Sequence, residues 1–148
     1  MIALDTNILI YVEATEDRGD RHVAARALVS RLDAAGGIVP MQVLAEFLNV
    51  CRRKSILSAQ TAAMRASCYM EVFDTPVTTA DDLLAGAAIA ARYQLAYFDA
   101  LICAVSRRVG ATLLLSEDMA DGMEIAGLRI ANPFNPSNAA PIEGLLKA

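Results

Sequence analysis

Histidine occurs once in this chain, at position 22, tryptophan not at all, and cysteine three times. Each shortage removes a class of chemistry. Metal-free RNA cleavage by paired histidines needs two of them. A histidine-based nucleophilic triad could use only His22, which sits in Asp20-Arg21-His22-Val23-Ala24-Ala25-Arg26 and reads as a surface residue of a helix. Zinc held by a Cys/His cluster lacks ligands. Cys51, Cys68 and Cys103 are odd in number and form no Cys-x-x-Cys pair, so they read as reduced thiols packed on helices. Long apolar runs are also missing. The longest, Leu83 to Ala91, contains Gly86, falls well short of the roughly 18 residues of a membrane span, and reads as a buried helix face. Met1-Ile2-Ala3-Leu4 meets Asp5 at once, without the basic start and apolar core of a secretory leader, so a cytoplasmic protein is expected.

What is present describes one globular domain. The chain has 148 residues, 55% of them hydrophobic and 20% charged, and a chain of that length buries roughly 70% of its unfolded surface. Acids outnumber bases 17 to 13, a formal charge of −4, which taken alone argues against nucleic acid as a partner.

Short apolar strands alternate with helical patterns. Ile2-Ala3-Leu4 reads as a strand, followed by the capping cluster Asp5-Thr6-Asn7 and a short helix to about Ala14. Arg18 to Ala35 places Val23, Ala27, Leu28 and Leu32 at helical spacing and stops at Gly36-Gly37. Ile38-Val39 is extended, and Pro40 opens a helix to about Lys54. Ser58 caps a helix ending near Phe73, Thr75 to Val77 is extended, and Thr79 to Asp82 is a capping box opening a helix to about Tyr93. Leu95 to Phe98 is weakly extended, Asp99 begins an apolar helix to Val109, and Thr112 to Leu115 is a buried strand. Ser116-Glu117-Asp118 leads into a polar turn or helix, Leu128 to Ala131 is the last strand, and the segment from 136 to 148 is expected to be loose. The fold class is α/β, with a mostly parallel sheet covered on both faces.

Ligands of such sheets sit beyond the carboxyl ends of the strands. Asp5, Asp99 and Asp118 are therefore expected at one edge, although each also suits a helix N-cap. Glu46 lies mid-helix, beside Gln42, Asn49 and Arg53 at the margin of the apolar arc of Val43, Leu44, Phe47, Val50 and Cys51, and periodicity alone also allows a solvated glutamate there.

Four pieces in order carry a family resemblance: Ile2-Ala3-Leu4-Asp5-Thr6-Asn7-Ile8-Leu9, Val43-Leu44-Ala45-Glu46-Phe47, Phe98-Asp99-Ala100-Leu101-Ile102, and Leu114-Leu115-Ser116-Glu117-Asp118-Met119. Over residues 1 to 135 the chain resembles PIN-domain proteins of the VapC toxin type. The resemblance implies a three-layer α/β/α sandwich, a homodimer and a small antitoxin partner. It carries the family's metal-binding acids onto Asp5, Glu46, Asp99 and Asp118, with Thr6, Asn7 and Ser116 supporting them. Glu117 and Asp121 stand close enough to replace or supplement Asp118.

Four carboxylates with no nitrogen or sulfur ligand suit Mg²⁺, or Mn²⁺, rather than zinc. The chemistry expected of them is hydrolysis of an RNA phosphodiester by metal-activated water, giving 5′-phosphate and 3′-hydroxyl ends. Setting these acids aside leaves 13 acids against 13 bases, so the negative charge no longer argues against RNA. Arg52-Arg53-Lys54 and Arg107-Arg108 end two helices, where the dipole also favours cations. Arg18, Arg21, Arg26 and Arg31 interleave with Asp17, Asp20 and Asp33 as a solvated face. No aromatic stacking platform is apparent. The competing readings are a PIN-fold binding module without catalysis and a phospho-receiver domain. The latter needs a lysine at the strand edge, and Lys54 and Lys147 do not supply one.

Overall fold

The computed structural model describes residues 1–14 and 19–147, so the expected helix start at Arg18 and the neighbouring Asp17 lie outside the described residues. Among the described residues the order is β1 (Ile2–Leu4), α1 (Thr6–Glu13), α2 (Gly19–Ala35), β2 (Gly37–Ile38), α3 (Met41–Arg53), α4 (Ala59–Val72), α5 (Ala80–Tyr93), α6 (Tyr97–Arg108), β3 (Leu113–Leu115), β4 (Glu124–Ile125) and β5 (Leu128–Ala131). A 3₁₀ turn (Pro136–Asn138) and α7 (Ala139–Leu146) follow. The five strands form one sheet in the order β2-β1-β3-β5-β4, parallel except for the β4–β5 pair. Helices flank it in an α/β/α sandwich, as expected.

The strands are short, and β1, β2 and β3 are buried throughout while β4 and β5 each expose one charged residue, Glu124 and Arg129. Ala3, Leu4, Leu114, Leu115, Leu128 and Ile130 have essentially no exposed surface, the pattern of a sheet covered on both faces. In the register, Leu4 lies opposite Leu115 and Leu115 opposite Ala131. The residues following β1 and β3 therefore emerge side by side. Asp5 N donates to Leu115 O at 3.0 Å, and Ser116 N to Ala131 O at 3.1 Å.

Several local expectations are corrected. Leu95 to Phe98 forms no strand: Gln94 takes a left-handed conformation (φ 55°) that closes α5, and α6 starts at Tyr97. Asp99 thus stands in the first turn of a helix, where its charge also suits the dipole. On α2 the buried face is Ala25, Leu28, Val29 and Leu32, whereas Val23 and Ala27 are exposed. Leu83 and Leu84 are exposed on α5, whose packed side is Asp82, Gly86 and Ile89. A Cβ on Gly86 would lie 3.2 Å from Leu101 Cα, so glycine permits the close approach of α5 and α6. Cys51 and Cys103 are buried thiols, but Cys68 is exposed. His22 is half-buried, its Nδ1 2.9 Å from Tyr11 O, to which it donates. β4 was read as part of a polar turn. It pairs with β5 through Ala126 and Gly127, both at positive φ, the requirement of a tight hairpin turn.

The segment from 136 onward, expected to be loose, folds back as the 3₁₀ turn and α7. Ile142 is buried against α2, Arg31 pairs with Glu143 in two hydrogen bonds, and Asn138 Nδ2 donates to Asp121 Oδ1 at 2.7 Å and Asn132 O at 3.0 Å. The breaker run Asn132 to Pro136 ends the sheet without ending the fold. No single helix among the described residues is long and apolar enough to cross a membrane.

The capping box at the start of α5 is a structural anchor. Asp82 accepts from Thr79 N at 2.8 Å and Thr79 Oγ1 at 2.9 Å, while Arg108 Nε on α6 approaches its two oxygens at 2.9 and 3.0 Å. These bonds hold its carboxyl below the usual carboxylate range against the opposing effect of burial. Removing the carboxylate takes the acceptor from half-buried Thr79 and from exposed Arg108 and breaks the cap. Asp82→Ala is expected to cost about 1–2 kcal/mol in urea unfolding at pH 7. Because the folded-state pKa is depressed, this contribution is present above about pH 4 and lost as pH falls below it. The gap between wild type and variant should close in acid.

Candidate active site

The neighbouring ends of β1 and β3 place Asp5 and Ser116 in contact. Asp5 caps α1, accepting from Thr6 N at 2.7 Å through Oδ1, while Ser116 Oγ donates to its Oδ2 at 2.7 Å. Capping and site geometry are therefore compatible roles of one side chain. Thr6 turns its Oγ1 to α3 and donates to Glu46 Oε2 at 3.0 Å. Gln42, one turn earlier on α3, donates through Nε2 to Glu46 Oε1 at 2.8 Å and to Phe98 O at 3.1 Å. This ties α3 to the start of α6, which carries Asp99. Asn7 Nδ2 donates to Asp118 Oδ2, linking α1 to the loop after β3. Glu46 is half-buried and turned toward these groups, not toward open solvent.

Charge couples the four acids. Asp5 is almost fully buried, and its carboxyl is pushed up to about 6. Burial is the largest cause, partly offset by the bonds from Ser116 and Thr6, and the negative charges of Asp99 and Glu46 raise it further. Asp99 is raised as well, first by burial, then by Glu46 and Asp118. Among the described residues no arginine or lysine comes within ion-pair distance of Asp5, Glu46, Asp99 or Asp118. Like charges thus converge without an internal counter-ion.

The other two candidate acids face elsewhere. Glu117 accepts from Tyr11 Oη and pairs with Arg21 Nη2 at 2.7 Å. The Arg21 guanidinium lies 5.6 Å from the Tyr11 ring centre and 5.7 Å from that of Phe134. Asp121 accepts from Asn132 N at 3.0 Å and from the side chains of Asn135 and Asn138, both at 2.7 Å. These bonds lower its pKa, that from Asn132 most. Asp121 thereby pins the loop after β3 to the C-terminal segment. Gln42 is the participant that sequence reasoning placed beside Glu46 without giving it a part. Its i, i+4 spacing from Glu46 was the available signal.

As to a cation, the donors are all hard oxygens. Among the described residues no three His, Cys, Asp or Glu side chains form a ready-made cage. Gln42 Oε1, on the amide that holds Glu46, is buried without a hydrogen-bond donor among the described residues.

Mostly parallel strands, with carboxylates gathered past the ends of β1 and β3, define an α/β fold with an acidic site. The PIN domain family model matches residues 2–120, and the chain belongs to the PIN domain family. Solved structures share its fold. A toxin–antitoxin complex from Klebsiella pneumoniae superposes with a TM-score of 0.66 at 20% identity, covering 90% of this chain and 98% of that one. VapC20 of Mycobacterium tuberculosis, described as a toxin cleaving the sarcin–ricin loop, gives 0.64 at 23% identity, over 80% of this chain and 90% of that one. VapBC2 of Rickettsia felis, bound to a promoter DNA fragment, gives 0.66 at 16% identity, over 89% and 98%. No curated protein matches by sequence.

The raised Asp5 pKa has a measurable consequence. An acid whose folded pKa exceeds its unfolded value of 3.8 penalises the fold once ionised; the penalty is absent below about pH 4 and complete above about 6. Asparagine caps a helix as well as aspartate does. In EDTA, Asp5→Asn is therefore expected to be about 1–3 kcal/mol more stable than wild type at pH 7, with no difference near pH 4. Thermal unfolding across that range measures it.

Proposed function

We propose that this chain is a Mg²⁺-dependent ribonuclease, with Mn²⁺ able to substitute, acting as the toxin of a toxin–antitoxin pair. The carrying observation is the convergence of four acids from four separate segments with, among the described residues, no cationic side chain in ion-pair distance. Maintaining such repulsion in a folded protein is a cost that a divalent cation and a phosphate ligand explain. Membership of the PIN domain family supports nuclease chemistry, and the likeness to toxin–antitoxin structures supports the biological role. On this reading the protein is cytoplasmic, works as a homodimer, and is held inactive by an antitoxin protein.

In this assignment Asp5, Glu46, Asp99 and Asp118 hold the ion directly or through its waters. Bound there, the ion supplies Lewis-acid chemistry, lowering the pKa of water and offsetting charge on phosphoryl oxygens. The protein's own part is positioning. Ser116 and Thr6 N fix the two oxygens of Asp5, Thr6 Oγ1 and Gln42 orient Glu46, and Asn7 orients Asp118. Water adds to phosphorus, the bond to the 3′ oxygen breaks, and that oxygen leaves with a proton. The RNA 2′-hydroxyl takes no part, consistent with one histidine turned to a backbone carbonyl.

Incubation of purified protein with a pool of total RNA tests this reading. Mg²⁺ or Mn²⁺ should support cleavage to 5′-phosphate and 3′-hydroxyl ends, and EDTA should stop it. Asp99→Asn should reduce the rate at least about 100-fold with the fold intact. Cleavage that survives EDTA, or products with 2′,3′-cyclic ends, would contradict it.

A further inference from the structure

The polar stripe that carries Glu46 extends along the whole of α3. At 100° per residue, Gln42, Glu46, Asn49 and Arg53 fall within one narrow sector. The helix then ends on Arg52, Arg53 and Lys54, all exposed and none in an ion pair among the described residues. Five other cations engage acids: Arg21 with Glu117, Arg65 with Glu13, Arg108 with Asp82, Arg31 and Lys147 with Glu143; Arg26, Arg92, Arg107 and Arg129 make no ion pair among the described residues but stand singly. Arg52 has only Asn49 Oδ1, at 3.3 Å. The helix dipole favours cations in this last turn, but it does not explain three adjacent cations without one acid. Arg53 stands about 10 Å along the axis from Glu46.

At the opposite end of the stripe, Gln42 joins Glu46 to the Phe98 carbonyl. Phe98 immediately precedes Asp99 and is 64% exposed. Its ring meets Tyr97 edge-on at 5.6 Å, and Tyr97 is itself anchored by donating to Leu83 O at 3.2 Å. The sequence showed no stacking platform; the structure exposes the ring of Phe98, the residue next to Asp99 in the chain and the one whose carbonyl Gln42 holds. Along α3 the order is therefore aromatic, acidic, basic.

We propose that single-stranded RNA lies along α3, with a base stacked on Phe98, a phosphate at the acids, and the next phosphates held by Arg53 together with Arg52 and Lys54. The phosphate at the acids rests on the metal-dependent reading above; the base and the basic end do not. A strand combines flat apolar bases with regular negative charge, which is the complement of this order.

Fluorescence anisotropy of a labelled mixed-sequence RNA of roughly a dozen nucleotides, measured with Ca²⁺ replacing Mg²⁺ and over a range of salt, tests the path. Phe98→Ala should weaken binding about 5- to 10-fold without changing the salt dependence, and Phe98→Tyr should restore it. Arg53→Ala should lower the slope of log K against log salt by about 0.7, and the triple alanine variant of Arg52, Arg53 and Lys54 by about 2. An unchanged slope in the triple variant, or wild-type binding by Phe98→Ala, overturns the proposal. So does a change of oligomeric state in Phe98→Ala on size-exclusion chromatography, which would assign the ring to a protein interface. If wild type shows these dependences yet cuts no RNA in Mg²⁺, the path stands and the nuclease reading fails. If it cuts RNA while the variants bind as wild type does, the reverse holds.

Discussion

Repulsion among Asp5, Glu46, Asp99 and Asp118 is the constraint around which this fold is arranged. A buried carboxylate ordinarily acquires a cationic partner or gives up its charge. Asp82 takes the first course: it is just as buried, but Arg108 and the Thr79 cap hold its carboxyl low. Asp5 has two hydrogen-bond donors and negative neighbours, and its carboxyl is pushed up to about 6. The two sites use similar burial to opposite ends. One stabilises the packing of α5 on α6, and the other leaves unbalanced charge where the strands end.

The rest of the architecture keeps that charge in place. Pairing of Leu4 with Leu115 sets Asp5 beside Ser116. Thr6 and Gln42 span from α1 to α3 and from α3 to α6, so two helices that share no strand are held to one point. Asp121 and Glu117 hold the loop after β3 from its other side, one through the asparagines before and within the C-terminal 3₁₀ turn, the other through Tyr11 and Arg21. The acids most easily confused with Asp118 in sequence are thus fixed to the frame around it.

Legibility in the sequence followed the length scale of the signal. Asp5 was readable because a strand of three buried residues ends at a capping cluster, both local properties. The site position of Glu46 was not, since its helix face is boundary by periodicity and only the Thr6 and Gln42 bonds, set by tertiary packing, decide which way it turns. Asp99 was placed at the right edge for a partly wrong reason: no strand precedes it, and the packing of α6 brings it there. Helix α7 was lost because Asn132 to Pro136 is a strong breaker, and nothing local shows that Ile142 finds α2 afterward. The short strand β4 was hidden by Ala126, which adopts the positive φ that glycine or asparagine would have advertised. Residue patterns alone pointed to Asp5, Asp99 and Asp118; the family resemblance added Glu46.

On the proposed reading these carboxylates are a cation site, and their mutual repulsion is what the ion relieves. Isothermal titration of Mn²⁺ into the metal-free protein at pH 7, alongside Asp99→Asn, measures this directly, without reference to any RNA. The account predicts saturable binding by wild type that weakens at least about 10-fold, or roughly 1.4 kcal/mol, in the variant. Absence of saturable binding by wild type, or equal binding by both proteins, would contradict it.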